Sequence, residues 1–137
     1  MKIENPTKKY KSSEHLVFSC QYHVIFCPKY RRDVLVDDVA SRLKEILIDV
    51  AHQYDFEIIE MEVMPDHVHL LIDCNPRFGI MECVRKMKSA SANILRKEFK
   101  HLCTKMPSMW TRSTFISTVG AVSLETVKRY ILEQKEK

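Results

Sequence analysis

The sequence predicts an α+β domain, in which two helices cover one face of an antiparallel sheet and a further helix is added at the C-terminus. Three observations lead to this class. Two kinds of segment alternate along the chain. Some have apolar residues at every second position, which is typical of strands, and others have them every three to four positions, which is typical of helices. Two of the strand segments are separated only by a short turn. The chain has 137 residues, of which 45% are hydrophobic and 29% charged, and this suits one domain with its own core.

The first elements are a basic arm and a strand. Residues 1–13 are polar and lysine-rich, so we expect a loose arm ahead of a single domain over residues 14–137. Alternating apolar residues from His15 to Cys27 predict one long strand that ends at Pro28. The strand exit sets three cations beside an aromatic ring, which suits either a solvated loop or contacts to phosphate and base. These residues are Lys29, Tyr30, Arg31 and Arg32.

A helix and a hairpin follow. Asp37 or Asp38 can cap a helix that runs to about Tyr54, and its single apolar stripe predicts packing in the core. Alternation over residues 56–64 predicts a second strand. The dipeptide Pro65-Asp66 then supplies a turn into a third strand, so the two strands are expected to form an antiparallel hairpin.

The third strand carries the pattern His67-Val68-His69. Successive side chains of a strand point to opposite faces, so His67 and His69 share one face while Val68, Leu70 and Ile72 share the other. Two imidazoles roughly 7 Å apart at the backbone can converge on one cation. The pattern alone is equally compatible with two polar residues on a half-exposed strand.

The second helix is expected from about Gly79 to Lys100, and its surface is strongly basic. Six cations face only two carboxylates there, which exceeds an ordinary solvated helix face without excluding one. Residues 101–110 include Pro107 and predict a loop. Residues 111–119 are rich in β-branched side chains and predict the fourth strand.

A last helix is expected over about residues 123–136, after Gly120 breaks the chain. Because glycine tolerates backbone angles that other residues avoid, we expect Gly120 to be a hinge that can direct this helix in more than one way. Gln134 lies one turn after Tyr130, so the two side chains project side by side. An ordinary terminal helix could also carry this pair.

The predicted order β-α-β-β-α-β-α begins with the ferredoxin-like split βαβ arrangement, which RNA-recognition domains share. The first and third strands are central in that topology. We therefore expect His67 and His69 in the middle of the sheet, on the face away from the two helices, where the added helix could be brought.

Composition argues against several classes of protein. Two glycines are too few for a glycine-rich phosphate loop. No apolar run approaches the roughly 20 residues of a membrane span, and no secretory signal is visible, so we expect a cytoplasmic protein with no membrane partner. Five cysteines without a Cys-x-x-Cys pair argue against structural zinc or a disulfide framework. The net charge of +4 is small, but the cations cluster as a nucleic-acid partner requires.

Three motifs together resemble the single-tyrosine HUH transposases of the insertion-sequence 200/605 group. They are Met64-Pro-Asp-His-Val-His-Leu-Leu, Cys27-Pro-Lys-Tyr-Arg-Arg and Val127-Lys-Arg-Tyr-Ile-Leu-Glu-Gln, and the resemblance runs from about residue 14 to 134. It implies that Tyr130 attacks a single-stranded DNA phosphodiester, leaving a 5′-phosphotyrosine and a free 3′-hydroxyl before the strands are rejoined. It also implies that His67, His69 and Gln134 bind a divalent metal.

The resemblance further implies DNA hairpins at element ends as binding sites, on nucleoid-associated DNA. It implies a homodimer whose tyrosine helix can reach the histidines of the partner. The metal is expected to be Mg²⁺ or Mn²⁺, since imidazole favours Mn²⁺ whereas phosphate oxygens and cellular abundance favour Mg²⁺. Basic and aromatic side chains are our candidates for DNA contacts: Lys29, Tyr30, Arg31, Arg32, Arg85, Lys88, Trp110 and Arg112.

Two alternatives stay open at this point. A non-catalytic nucleic-acid-binding module would share the strand order, although such modules carry stacking aromatics on the central strands, where this chain has histidines. A domesticated relative acting on chromosomal palindromes would use the same chemistry, and the DNA that flanks the gene would distinguish it.

Overall fold

The computed structural model of the chain describes residues 11–13, 16–119 and 124–134. Its strands are β1 (Lys11–Ser13), β2 (Leu16–Phe18), β3 (Gln21–Phe26), β4 (Glu57–Met64), β5 (His67–Asp73) and β6 (Phe115–Thr118). Its α-helices are α1 (Asp37–Gln53), α2 (Ile80–Glu98), α3 (His101–Lys105) and α4 (Leu124–Glu133), and a short 3₁₀ turn covers Lys29–Arg31. The predicted hinge, Gly120, and most of the predicted arm lie outside the described residues.

Four strands form the central antiparallel sheet in the order β4-β5-β3-β6. The first and third predicted strands, β3 and β5, are therefore central, and the predicted α+β class with a split βαβ order is confirmed. The apolar sides of these two strands are buried with the apolar stripes of α1 and α2 in one core. Val24 on β3 and Leu70 on β5 are fully buried there, since alternation directs them towards the helices.

The predicted long first strand is wrong, because the segment divides into β2 and β3. β3 begins at Gln21, which pairs with Asp73 at the very end of β5. Before Gln21, Cys20 still bonds to the end of β5, since its carbonyl accepts from Cys74 N–H and its N–H donates to Asp73 Oδ1. The strand β2 instead pairs with β1 in a separate two-stranded sheet.

Two local predictions about helices are also wrong. Neither Asp37 nor Asp38 caps α1: the capping position is Val36, which makes no side-chain bond, and Asp37 is itself left-handed at φ +51°. The predicted loop over 101–110 contains α3. Leu102 and Met106, four residues apart, are both buried, so tertiary packing favours a helical turn that ends just before Pro107.

The face of the sheet that α1 and α2 leave free is partly covered by α4. Residues paired directly across antiparallel strands point to the same face, so His69, Ile25 and Phe115 form one row across β5, β3 and β6. The ring of Tyr130 on α4 packs on Phe115, with centroids 4.9 Å apart. None of the described helices is long and apolar enough to cross a membrane.

Candidate functional site

His67 is the first residue of β5, and the turn before it supplies a hydrogen-bond partner. Because a carboxylate only accepts, His67 Nδ1 donates to Asp66 Oδ1, at 2.8 Å. The proton therefore sits on Nδ1, and Nε2 keeps the lone pair that a metal ion would use. This is the usual way in which a carboxylate orients a ligating histidine.

His69 points to the same open face and meets a second histidine. His23 Nδ1 and His69 Nε2 lie 3.2 Å apart, with one ring donating and the other accepting. Burial lowers the pKa of His69, and the neighbouring His23 lowers that pKa further. His69 is thus held in the neutral form, which is the form that binds a metal.

Tyr130 on α4 is held by two contacts on the open face. Its ring packs on Phe115, and its Oη lies 2.8 Å from Ser113 Oγ, in hydrogen-bond contact. Burial raises the pKa of the Tyr130 phenol, whereas the hydrogen bond with Ser113 lowers it in part. The hydroxyl is therefore neutral and oriented, close to the row that contains His69.

Gln134 follows α4 directly and is buried, with 1% of its surface exposed. Its Oε1 has no hydrogen-bond partner among the described residues. A buried acceptor without a partner is costly, and it is normally satisfied by a water molecule, an ion or a ligand. Gln134 thus offers a buried oxygen that could serve as a ligand for a cation.

The donor set of two imidazoles and one amide oxygen suits a divalent cation and leaves positions open for phosphate oxygens or water. In the described ranges, no group of three His, Cys, Asp or Glu side chains is arranged to hold a metal ion. A cation bound beside His67 and His69 would therefore depend on Gln134 or on oxygens from a substrate.

Arg31 links the His67 end of β5 to the tyrosine helix. Its Nη1 donates to the backbone carbonyl of Ile131 at 2.6 Å, and its Nε lies 2.8 Å from Asp66 Oδ2 in an ion pair. The Nε contact is electrostatic, because this nitrogen makes no aligned hydrogen bond. The Arg31 side chain is only 7% exposed, so it faces the protein rather than a DNA surface.

Two other DNA-contact candidates also point inward. Trp110 is 7% exposed, packs edge-on against Phe26 and donates from Nε1 to Ser91 Oγ, so its faces are not open to a base. Lys88 Nζ donates to the carbonyls of Thr111 and Ser113 and to Thr114 Oγ1. These placements do not fit our expectation that Trp110, Lys88 and Arg31 contact DNA.

The remaining candidates are on the surface. Lys29 Nζ and Arg32 Cζ lie 5.3 and 5.9 Å from the centre of the Tyr30 ring, which is 48% exposed. We call these three residues the basic turn. Arg85 is exposed on the helix layer, where it pairs with Glu82, and Arg112 is exposed beside Thr111.

Three residues in contact with this site were missed by the sequence reasoning. Asp66 was assigned only to the turn, and its position immediately before His67 was the available signal. Ser113 and His23 gave no signal, because each meets its partner only through the pairing of distant segments.

Comparisons with known sequences identify the family of this chain. The family model described as "Transposase IS200 like" matches residues 16–134. The ISDra2 transposase TnpA of Deinococcus radiodurans is 40% identical over 129 residues, which cover 93% of this chain and 92% of the relative. The transposase for insertion sequence element IS200 of Salmonella typhimurium is 29% identical over 128 residues, covering 92% and 84%.

Solved structures give the same result. A protein of Deinococcus radiodurans described as a transposase superposes with a TM-score of 0.79 at 38% identity, covering 90% of this chain and 97% of that one. A REP-associated tyrosine transposase bound to a REP hairpin has a TM-score of 0.53 at 17% identity, covering 88% and 68%, and shows the fold alone. With a family match over nearly all of the described residues, the chain belongs to the IS200-like transposases.

Proposed function

We propose that this transposase cleaves single-stranded DNA through attack of Tyr130 on a phosphodiester and later rejoins the strands. The observation that carries the proposal is that Tyr130 lies on the same sheet face as His69, with the unpaired Gln134 Oε1 one turn after it. A nucleophile beside metal-capable side chains is the arrangement that phosphoryl transfer needs.

The cleavage step forms one bond and breaks one. Tyr130 Oη bonds to phosphorus while the bond between phosphorus and the 3′-oxygen breaks. The phenol loses its proton, and the leaving oxygen gains one to become a free 3′-hydroxyl. The DNA is left joined to the enzyme as a 5′-phosphotyrosine. Attack of a 3′-hydroxyl on this link reverses the step, so strands are rejoined without net hydrolysis.

Ser113 and Phe115 would position the nucleophile, through the hydroxyl and the ring respectively. His67, His69 and Gln134 would hold Mg²⁺ or Mn²⁺, with Asp66 orienting His67. When bound, the ion would offset charge on the scissile phosphate and orient it for in-line attack. The fit of these residues to a metal rests on the lone pair that the bond to Asp66 leaves on His67 Nε2, and on the buried Gln134 oxygen, which has no partner among the described residues.

We propose single-stranded DNA with hairpins as the substrate, met in the cytoplasm on nucleoid-associated DNA. Support comes from the family and from the solved neighbour of the same fold that is bound to a REP hairpin. The basic turn of Lys29, Tyr30 and Arg32 offers cations and an exposed ring for such a contact. We further propose a homodimer with composite active sites.

The test uses single-stranded oligonucleotides that carry hairpins from the DNA flanking the gene. Tyr130→Phe should reduce the covalent adduct by roughly 10³-fold or more, because the nucleophile is removed. His67→Ala should also lose cleavage, whereas hairpin binding should survive in both variants because it rests mainly on phosphate contacts. Tyr54→Phe is the matched control, since Tyr54 stacks on Phe78 at the end of α1, away from the open face.

A phosphotyrosyl adduct that persists in Tyr130→Phe would refute the nucleophile. Full cleavage in excess chelator would refute the metal. Hairpin binding without any cleavage by the unaltered chain would instead favour a non-catalytic binding module.

A further inference from the structure

We infer that Asp66 and Arg31 form a positioning pair, through which the orientation of His67 and the docking of the tyrosine helix depend on each other. This inference rests on the proposed roles of His67 and Tyr130. It concerns two residues that would touch neither the metal nor the scissile phosphate.

One carboxylate serves both sides of the pair. Asp66 Oδ1 accepts the Nδ1 proton of His67 at 2.8 Å, and Asp66 Oδ2 lies 2.8 Å from Arg31 Nε. Because its two oxygens are fixed relative to each other, a shift of Arg31 moves the acceptor that sets the tautomer and ring orientation of His67.

Arg31 continues the link to α4 through its guanidinium. Nη1 donates to the carbonyl of Ile131, the residue directly after Tyr130. The guanidinium is planar and always charged, so it holds the carboxylate and the carbonyl in a fixed mutual geometry. With its side chain 7% exposed, Arg31 depends on Asp66 for its counter-charge, because a buried charge without a partner is strongly unfavourable.

The backbone fixes this geometry from the other end. Tyr30 and Arg31 have φ values of +60° and +49°, in the left-handed region that side chains rarely adopt. The turn is tied by Arg31 N–H to the carbonyl of Pro28 and by Lys29 N–H to that of Met109. It directs Tyr30 outward and Arg31 inward, so the position of Arg31 does not rest on a free side chain alone.

A mutual dependence follows. A cation on His67 Nε2 would make the Nδ1–H a stronger donor and would hold Asp66, and with it Arg31, in place. Docking of α4 fixes Arg31 from the opposite side, through the Ile131 carbonyl. Metal binding and docking of α4 both act on the Asp66–Arg31 pair, and such a coupling between two binding events is reciprocal. Metal binding should therefore stabilise α4, and docking of α4 should raise metal affinity.

The experiment uses the full chain with Mn²⁺ as the probe, and it reads Mn²⁺ affinity and amide hydrogen exchange of α4. In the unaltered chain, Mn²⁺ should slow exchange in α4. Arg31→Gln should speed α4 exchange by roughly tenfold and abolish the response to Mn²⁺. Asp66→Ala should weaken Mn²⁺ binding by roughly 10–100-fold, the usual effect of removing a partner that orients a ligand.

A control variant and a metal-free measurement complete the design. Arg42→Gln breaks a more exposed arginine–carboxylate pair with Glu98, at 2.9 Å on the helix layer, and should change neither readout. In the metal-free chain, ¹⁵N NMR of His67 should show the Nδ1–H tautomer, and Asp66→Asn, which keeps the shape of Asp66, should reduce its population. Asp66→Asn also replaces Asp66→Ala in the Mn²⁺ measurement if the latter does not fold.

The outcomes separate the inference from the proposed function. An unaltered chain that binds no Mn²⁺ refutes the metal site and the coupling together. If the unaltered chain binds Mn²⁺ but Arg31→Gln keeps the same α4 exchange and the same response, the coupling is refuted while the metal site stands. Equal Mn²⁺ affinity and an equal His67 tautomer without the Asp66 carboxylate would likewise refute the pair alone.

Discussion

Tyr130 illustrates how the environment of one side chain sets its reactivity. Burial raises the pKa of the phenol, and the hydrogen bond with Ser113, 2.8 Å away, works against that rise. A phenol ionises little at neutral pH even with its ordinary pKa of about 10. The hydrogen bond with Ser113 thus limits the rise in the pKa of Tyr130 that burial causes.

We predict that Ser113→Ala raises the pKa of Tyr130 further and slows adduct formation at pH 7 by roughly fivefold to tenfold. This corresponds to the loss of a hydrogen bond worth about 1–1.4 kcal/mol. Because the phenolate forms as pH rises, adduct formation should increase with pH in both proteins. In Ser113→Ala the increase should continue to higher pH. The measurement is the rate of adduct formation across pH, with Ser108→Ala as the control.

Identical pH profiles for Ser113→Ala and the unaltered chain would mean that Ser113 only packs beside Tyr130. A uniformly slower rate with an unchanged pH dependence would indicate that Ser113 orients the hydroxyl without affecting its ionisation.

Single residues show where sequence reasoning ends. His67 and His69 share the open face as predicted, because strand alternation is a local property that needs no partner. Asp66 was assigned to the turn, as the structure shows, but alternation does not apply in a turn and gives no sign that its carboxylate reaches His67. His23 contacts His69 only because of the register in which β3 and β5 pair, and this register cannot be predicted from either strand alone.

Between elements, Lys88 joins α2 to the segment that leads into β6. Its Nζ donates to Thr111 and Ser113 carbonyls at 2.9 and 3.3 Å and to Thr114 Oγ1 at 2.8 Å. Burial lowers the pKa of Lys88 to about 8. A helical pattern predicts on which face of α2 Lys88 lies, but not that a distant segment covers that face. The sequence therefore suggested that Lys88 contacts DNA. Its place in the structure is to hold the segment that contains Ser113.

The basic turn between β3 and α1 gives a prediction about DNA binding. The double substitution Lys29→Glu and Arg32→Glu should weaken hairpin binding by roughly tenfold or more near 0.1 M salt, because both cations face outward beside Tyr30. It should also flatten the dependence of log affinity on log salt by about 0.9 for each phosphate that the protein no longer neutralises. The measurement is a salt series of binding constants.

The control for the basic turn is the double reversal Lys44→Glu and Lys105→Glu, which changes net charge equally at exposed positions on α1 and α3. Equal losses in both variants would indicate that net charge alone matters. Unchanged affinity in Lys29→Glu with Arg32→Glu would leave the turn as a solvated loop.

For the whole molecule, the order of elements was predictable because strand and helix periodicities differ and only a few topologies fit β-α-β-β-α-β. The parts that were missed depend on contacts made across the fold. β1 and β2 pair with each other outside the central sheet, and α3 forms where Leu102 and Met106 are buried in the core.

The proposed homodimer makes a prediction about complementation. In the single chain, α4 contacts Phe115 on its own sheet face and Arg31 in the turn after β3. If subunits exchange these helices, mixing Tyr130→Phe with His67→Ala should restore about one quarter of the original activity. Random mixing makes half of the dimers mixed, and each of those keeps one of its two composite sites. The measurement is adduct formation after the two proteins are mixed and subunit exchange is verified.

No restoration despite verified exchange would mean that each chain uses its own tyrosine, in the arrangement that the single chain displays. A protein that stays monomeric at micromolar concentration would count against the dimer itself.

The left-handed turn at Tyr30 and Arg31 has a consequence for how such a transposase adapts to a new host or target. It directs one side chain to solvent and the next into the protein, with Tyr30 48% exposed and the Arg31 side chain 7% exposed. If Lys29, Tyr30 and Arg32 contact DNA as proposed, they can therefore change as that DNA changes, while Arg31 is constrained by its contacts with Asp66 and Ile131. Insertion of one residue here would exchange the two roles, so this loop can evolve by substitution but not by changing its length.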